Sequence, residues 1–524
     1  MKKILFTLLF VFFLSCKNHI DSINSNHYKL QKNENICNVI TQSDIVYIID
    51  SEFDLKGNTL RIPDNCTLYF TNNGKIKNGN IYFKNTRLEN AVSFTNIKFS
   101  GSLLNKEIHT DWFGFINDEK IEKTTMYNAN LLKQITLLNC KNIIVDDFYP
   151  VGETINLTSS TTFIGKDWSP SEYCQTYEYT YNPTNGFYTV NPTSLFLLRN
   201  KCEISLYGVK LTGFIEEFNQ NAFSDTDTFC IHAEYSSSDS KISGTIRAVY
   251  NSIIQGFTYG IEAIGTYIEK IQNTTFDSCR FGIYVVWTSD FDVFGCRFTN
   301  CCGSVNYSVP DKIKKSDIDS IKLASSAIYS SSAGMLNINK CYFENNFIGY
   351  SIIDEEVILN IQNCIFKDNK LTNIFSLSDI NYVPICTNDK LGSHAINCVA
   401  ISENTFIRTK ANILNTQIFI READEKGTNM VFSKNQFIDT FNSNSDNDCI
   451  FLISAASQQN NRGIVTCNNN DYSQSKSKNF YQLLPIYTDS YQKEQTGLFK
   501  FVISNNIYNG LFNYTSDFIM INSD

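Results

Sequence analysis

A short phrase returns through the second half of this chain: apolar-x-apolar, then Asn or a near equivalent, then an aromatic residue a few positions on. It reads IEKIQNTTF from Ile268, FDVFGCRF from Phe291, LNINKCYF from Leu336 and ILNIQNCIF from Ile358. It continues as VAISENTF from Val399, VFSKNQF from Val431 and FVISNNIY from Phe501. The tightest spacing, from Gly260 to Gly282, is 22 residues. Apolar residues alternating over short runs specify strands rather than helices. Units of this length cannot bury a face alone and must stack on their neighbours. A solenoid of parallel strands, one coil per repeat, satisfies both conditions.

The chain opens MKKILFTLLFVFFLSC. Two lysines, an apolar run over residues 4–14 and a small residue before Cys16 have the form of a secretory signal. The run is shorter than the about 20 residues that a membrane span requires. Leu14-Ser15-Cys16 resembles the lipobox of bacterial lipoproteins. That resemblance implies that Cys16 is lipidated and becomes the mature N-terminus, an exported chain anchored to the cell envelope, with the outer membrane as the expected site. A plain cleaved signal with an incidental Cys16 is the alternative. Residues 17–35 are polar and aperiodic and read as a flexible tether.

A length of 524 residues ordinarily implies several domains, but a solenoid core grows along one axis and escapes that limit. With 8 Pro and 24 Gly against 40 Phe and 28 Tyr, the chain is built for strands and aromatic stacking. A net charge of −9 without any basic run argues against nucleic acid as a partner. It leaves open an anionic sugar bound in a local basic cleft. A monomer is expected, touching the membrane through the anchor alone. Seventeen cysteines in an exported chain suggest disulfides. Cys279, Cys296, Cys341 and Cys364, however, each stand two residues before a Phe (Phe281, Phe298, Phe343, Phe366). With a period of two they share its inward face, as a ladder of small buried hydrophobes. No cysteine pair has zinc-like spacing, and no metal ligation by thiolate is expected.

Residues 36–104 form an N-terminal β-rich section with Gly-Asn and Asn-Gly turns. A linker and helix occupy 105–140, the apolar spacing turning helical over 118–138; such a helix suits the capping of an open solenoid end. Strands resume and run over 141–524, interrupted by long loops at about 168–192, 304–325 and 376–397. The order Trp112-Phe113-Gly114, helix, Tyr149-Pro150-Val151-Gly152-Glu153-Thr154, alternating strand, Phe163-Ile164-Gly165 resembles the opening of the pectate-lyase-like superfamily. The resemblance covers roughly residues 105–470 and implies an all-β fold, a right-handed parallel β-helix with an N-terminal capping helix. The family's acidic Asp-Gly-x-x-Asp-Asp-Thr stretch is replaced here by Asn117-Asp118-Glu119-Lys120, which leaves the subfamily undetermined. The superfamily includes lyases, hydrolases, epimerases, esterases and phage tailspikes, so the fold alone does not choose an activity.

Coils of such a helix stack at about 4.8 Å, so equivalent outward residues form columns. Aligning the strands that precede each phrase places Ile231, Ile261, Ile283 and Ile328 in one inward file. The adjoining outward file is then His232, Glu262, Tyr284 and Tyr329, with Arg199 one coil earlier and Glu234 opening a second file. β-Elimination on an acidic sugar needs a cation for its carboxylate, a base and an acid. Arg199 could supply the first, and His232 or Tyr284 the others. Hydrolysis needs two carboxyls, roughly 5 Å apart for retention or 6.5–9.5 Å for inversion, which Glu234 and Glu262 on adjacent coils could provide. Trp287, Tyr329, Asp290 and Trp168 are the candidate substrate-binding residues, the aromatics offering faces to sugar C–H groups. Asp292 could join Asp290 at the next turn. No cofactor is expected; calcium held by Asp225, Asp227 and Glu262 is an alternative to turn-capping by the two aspartates.

The Asn-Thr-Asp, Asp-Asp, Gly-His-Gly and Arg-Ile-Lys signatures of the family's polygalacturonan hydrolases are missing, as are HExxH and GxSxG. The reading is a cell-envelope polysaccharide-degrading enzyme, a lyase or glycoside hydrolase. The competing class is a non-catalytic glycan-binding or adhesive β-helix, or a tailspike-like scaffold.

Overall fold

A computed structural model describes residues 26–118, 122–169, 182–214, 227–236, 241–242, 244–288, 290–301, 313–314, 325–331, 334–353, 358–378, 399–422, 429–442, 448–455, 463–483, 486–488, 491–495, 499–508 and 520–522. The signal segment with Cys16, Asp225 and most of the three long loops lie outside the described residues. Among the described residues no helix is long and apolar enough to cross a membrane. The chain divides into two compact units, Met1–Ile116 with Asn130–Asp146, and Asn117–Ala129 with Asp147–Asp524.

In the N-terminal unit short strands pair in parallel, Val46–Ile49 with Thr67–Phe70 and Lys75–Asn90 with Phe94–Leu103. Phe70, Phe83, Phe94, Phe99 and Phe113 pack at its centre with ring centroids 4.9–6.3 Å apart. His27–Lys29, inside the segment that composition marks as a tether, is instead a strand paired with Val46–Ile49, and Leu30 beside it is buried. Polar composition hid this strand because its backbone partners lie in the neighbouring strand.

The larger unit is a right-handed parallel β-helix of three sheets, the hand that parallel crossovers adopt. Each coil contributes one strand to each sheet, as in Ile253–Gln255, Tyr259–Ile264 and Tyr267–Gln272, then Thr275–Asp277, Phe281–Val286 and Phe291–Phe294. The first sheet runs from Phe148–Val151 to Asp471–Gln474 and the second from Ile155–Leu157 to Asn479–Leu483. In this unit the third sheet begins at Thr161–Gly165 and ends at Met520–Asn522. The helix read over 118–138 is Glu122–Ile135. In the larger unit Asn128 donates from its side chain to the Pro150 carbonyl at 3.0 Å. In the N-terminal unit the Gln134 side chain accepts from the Phe99 amide at 2.6 Å.

The recurring phrase is one corner of this helix. Its apolar-x-apolar half lies in the third sheet and its aromatic in the first. The residue between them turns the chain in the left-handed region: Asn273, Gly295, Lys340, Asn363, Glu403, Lys434, Asn469 and Asn505 all have φ between 48° and 62°. Asn and Gly tolerate that conformation best, which is why Asn recurs. The next side chain points inward and forms a file through Thr274, Cys296, Cys341, Cys364, Asn404, Asn435, Asn470 and Asn506. Its members donate to carbonyls of the preceding coil, Thr274 to Val249 and Asn404 to Ile361. From Asn404 onward each carboxamide also donates to the next one at 3.0–3.2 Å. Below the corner Phe276, Phe298, Phe343, Phe366, Phe406, Phe437 and Tyr472 stack with centroids 4.5–5.1 Å apart.

Cys279, Cys296, Cys341 and Cys364 are free and buried, as their spacing implies. Cys279 belongs to a different file from the other three. It follows Phe276 by three residues, as Cys301 follows Phe298, and so sits at the far corner of the first sheet. The Phe281 that it precedes lies in the second sheet.

A buried charge cluster fixes the later coils. Arg408 donates through Nε to Asp439 at 2.7 Å, and its Nη2 lies 3.0 Å from Asp448. Burial pushes the Asp439 carboxyl up, but Arg408 and the bonds from Ser475 and the Lys476 amide outweigh it and hold the group below the usual carboxylate range.

Replacing Asn435 by Leu orphans the Asn404 amide and the Ile401 carbonyl. Each buried group left unpaired costs on the order of 1–3 kcal/mol, so denaturant unfolding should show a loss in that range or above. Arg408→Leu should cost about 3–5 kcal/mol by leaving two buried carboxylates uncompensated. Because the Asp439 pKa is depressed in the folded state, the stability it contributes is present above the ordinary carboxyl range and is lost as pH falls through its folded value. Unfolding midpoints measured against pH should show an acid loss in the native chain that is smaller in Asp439→Asn.

Candidate functional site

The expected outward file exists in the second sheet. Strand Phe229–Ser236 pairs with Tyr259–Ile264 so that Ile231 faces Ile261 and His232 faces Glu262. Glu262 then faces Tyr284, Tyr284 faces Tyr329, and Tyr329 faces Ser351. One coil step brings His232 Nδ1 into a hydrogen bond with Glu262 Oε2, while Nε2 lies 3.4 Å from Glu234 Oε2. The two carboxylates are not equivalent: the Glu262 side chain is 13% exposed and that of Glu234 50%. Phe229 packs its ring 4.5 Å from the imidazole, so His232 is held between an aromatic face and the Glu262 carboxylate.

Two further charged groups join the cluster. Asp227 is half-buried at the entrance to the His232 strand. Burial pushes its carboxyl above the usual range, the Arg280 guanidinium pulls part of that back, and the Glu262 carboxylate adds to the rise. Tyr259 lies within the same field; burial, then Glu262 and Asp227, push its phenol upward and keep it protonated. Arg280 precedes strand Phe281–Val286 and lies with its guanidinium carbon 5.7 Å from the Phe281 ring centroid. The site therefore holds a carboxyl environment that favours the proton, a second carboxylate fixed by an imidazole, and one cation. Burial and like charge are the two causes that separate acid from base among neighbouring carboxyls.

Arg199 does not stand in this file. Leu197 occupies the register position opposite His232, because the strand ends at Leu198 and Arg199 lies beyond it. Tyr284 stacks on Tyr329 at 4.5 Å, and Tyr329 is only 2% exposed within an aromatic and aliphatic cluster that includes Phe281 and Phe347. Tyr329 thus supports Tyr284 from behind. Trp287 is partly buried against the same cluster, with its backbone in the left-handed region at φ 51°. Asp290 is exposed and accepts from the Met335 amide at 2.6 Å. Asp292 lies in the third sheet, where it accepts from Asn337, and is thereby separated from Glu262 by strand and sheet. Trp168 packs over Tyr207 at 4.8 Å and fills the space beside Gly208, on the third-sheet side of the coil. Cys16 lies outside the described residues, as does Asp225 of the calcium alternative.

In the sequence Asp227 reads only as a turn or cation residue, and no motif marks Arg280 or Tyr259. Their signal is positional. Register places Tyr259 opposite Phe229 and Phe281, and extending it two residues before Phe229 and one before Phe281 reaches Asp227 and Arg280.

No family model matches the sequence, and no curated protein matches it. Among solved structures the chain is similar to tailspike protein 2 of Escherichia coli O157:H7 bacteriophage CAB120, at 11% identity and TM-score 0.33, over 76% of this chain and 42% of that one. It is similar also to the enzymatically active domain of bacteriophage CBA120 tailspike protein 2, at 10% identity and TM-score 0.34, over 76% and 47%. A third similar structure is a point mutant of the tailspike protein of E. coli bacteriophage HK620 in complex with a pentasaccharide, at 11% identity and TM-score 0.46, over 78% and 66%. The chain spans less than half the length of the first two.

Proposed function

We propose that this chain is a polysaccharide-degrading enzyme that hydrolyses a glycosidic bond at Asp227, Glu262 and His232. The observation that carries the reading is the pairing of a half-buried carboxyl pushed toward its protonated form with a second carboxylate bonded to an imidazole. Asp227 gives its proton to the leaving glycosidic oxygen as the bond from the anomeric carbon breaks. Glu262 takes a proton from the water whose oxygen bonds to that carbon. His232 acts through Glu262, fixing its orientation. Phe229 and Tyr284 offer aromatic faces to the sugar's C–H groups.

Arg280 favours a second reading, β-elimination from a uronate, because its guanidinium, whose field reaches Asp227, could receive a sugar carboxylate. In that case His232 would take the proton. The lipobox-like Leu14-Ser15-Cys16 supports export and attachment to the cell envelope, which would present this site to extracellular or periplasmic glycan.

New reducing ends released from a panel of neutral and uronate polysaccharides should report hydrolysis. Asp227→Asn and Glu262→Gln should each lower kcat by about 10²–10⁴-fold, the usual share of a general acid or base, and His232→Ala less. Since the Asp227 pKa is raised, the acid should remain competent above the ordinary carboxyl range, and activity should fall as pH rises through that higher value. Ultraviolet absorbance from an unsaturated product would transfer the assignment to the lyase reading. Silence on both readouts across the panel would refute both. Fatty-acid labelling in a bacterial host should be present in the full chain and absent in Cys16→Ser.

A further inference from the structure

The outer face of the third sheet carries a second polar track, well apart in register from the His232 file. Register sets Gln272, Phe294, Asn339, Gln362 and Ser402 in one column. Lys270, Asp292, Asn337 and Asn360 form the column beside it. All of these except Gln272 line a groove of about 320 Å³.

Three features give this groove a ligand chemistry. Four of its lining side chains, Asn337, Asn339, Asn360 and Gln362, are carboxamides, each able to donate and accept at once, which matches the vicinal hydroxyls of a sugar. They are also held in place: Asn337 donates to Asp292 at 2.9 Å and receives from Asn360 at 3.0 Å. Among the described residues Asn339 Oδ1 is buried and meets no donor, which leaves an unsatisfied acceptor in the groove's lining. Phe294 stands in the same column as the apolar platform, its other neighbour being the Lys340 ammonium 5.3 Å from the ring centroid. The only formal charges in the lining, Lys270 and Asp292, sit on adjacent coils and offset one another. A groove without net charge selects against a polyuronate.

We propose that this groove is a binding site for a neutral, hydroxyl-rich glycan lying along the coil axis. The coil rise of about 4.8 Å is close to the length of one pyranose unit, so a linear chain would meet the same kind of polar group at each step. Asp292 is the single carboxyl in the lining, and a lone carboxyl bonded to Asn337 lacks the partner that glycoside hydrolysis uses. The site therefore binds without cleaving and would hold a polymer on the shaft. It does not depend on the catalytic reading of Asp227 and Glu262.

Affinity gel electrophoresis of the full chain through mannan, xylan and a soluble β-glucan, with polygalacturonate as the charged comparator, tests it. Retardation by at least one neutral glycan is expected. Asn339→Ala and Phe294→Ala should weaken it about tenfold each, the worth of one good hydrogen bond or ring contact. Asp227→Asn and His232→Ala should leave it unchanged, which separates this site from the proposed catalytic one. Circular dichroism checks the fold, and Asn360→Lys, which obstructs the groove without removing core, serves if Phe294→Ala does not fold. Retardation by no neutral glycan, by polygalacturonate alone, or persisting in both Asn339→Ala and Asn360→Lys, would overturn the proposal.

Discussion

The hydrogen-bond ladder between successive coils is the constraint on which the rest of this structure depends. Parallel strands about 4.8 Å apart leave each residue directly above its counterpart in the next coil. Whatever stands at a position must therefore tolerate a copy of itself, or a complement, one coil away. Phenylalanine does so by stacking, as from Phe276 to Phe437. Asparagine does so by passing its amide to the next carbonyl oxygen, as from Asn404 to Asn506. Inside such a shaft a single large-to-small or polar-to-apolar change leaves its neighbours above and below incompletely packed or unpaired, so the cost exceeds that of one side chain.

The same constraint makes a charged file on the outer surface informative. Like charges stacked at coil spacing repel, so His232 above Glu262 is a complementary step, and the imidazole bond is its direct result. Past Glu262 the file becomes Tyr284, Tyr329, Ser351, Phe375 and Phe419, and from Tyr329 onward these are buried. Among the described residues, the outer face of the second sheet is thus polar and accessible only over its early coils. That change, rather than any single residue, confines the candidate chemistry to the coils between Asp227 and Tyr284.

The fold was legible because the phrase repeats with the coil: apolar alternation, a left-handed corner and a stacked aromatic are each written into Asn273-Thr274-Thr275-Phe276 and its relatives. Half of the candidate site was legible for the same reason, since His232, Glu262 and Tyr284 each follow an inward Ile of one file, Ile231, Ile261 and Ile283. Arg199 was misaligned because the strand Phe196–Leu198 is too short for alternation to fix its phase. Asp227 and Arg280 escaped because they stand just before strands, where no periodicity marks direction. Cys279 shares the Cys-x-Phe spacing of the other three but not their file, because the aromatic after it, Phe281, lies in the second sheet whereas Phe298, Phe343 and Phe366 lie in the first.

Three charge clusters can be compared on one physical footing. His109 bonds to the buried Asp146 at 3.0 Å; that bond raises the imidazole, and despite burial the carboxyl stays low with help from Thr110 and the Asp111 amide. Arg408 does the same for Asp439. In both, a buried carboxylate is held ionised by a cation bonded to it, and such groups hold the fold by staying ionised. Asp227 differs in sign. Burial and Glu262 push it toward the neutral form, and Arg280 offsets only part of that. A structural carboxyl gains nothing from such an environment, because the ionised form is penalised and the neutral one forgoes a salt bridge. A carboxyl that must deliver a proton gains a great deal. The direction of that one shift, set against the two opposite ones, is the physical reason to look for chemistry at Asp227 rather than at the better-formed ion pairs elsewhere in the chain.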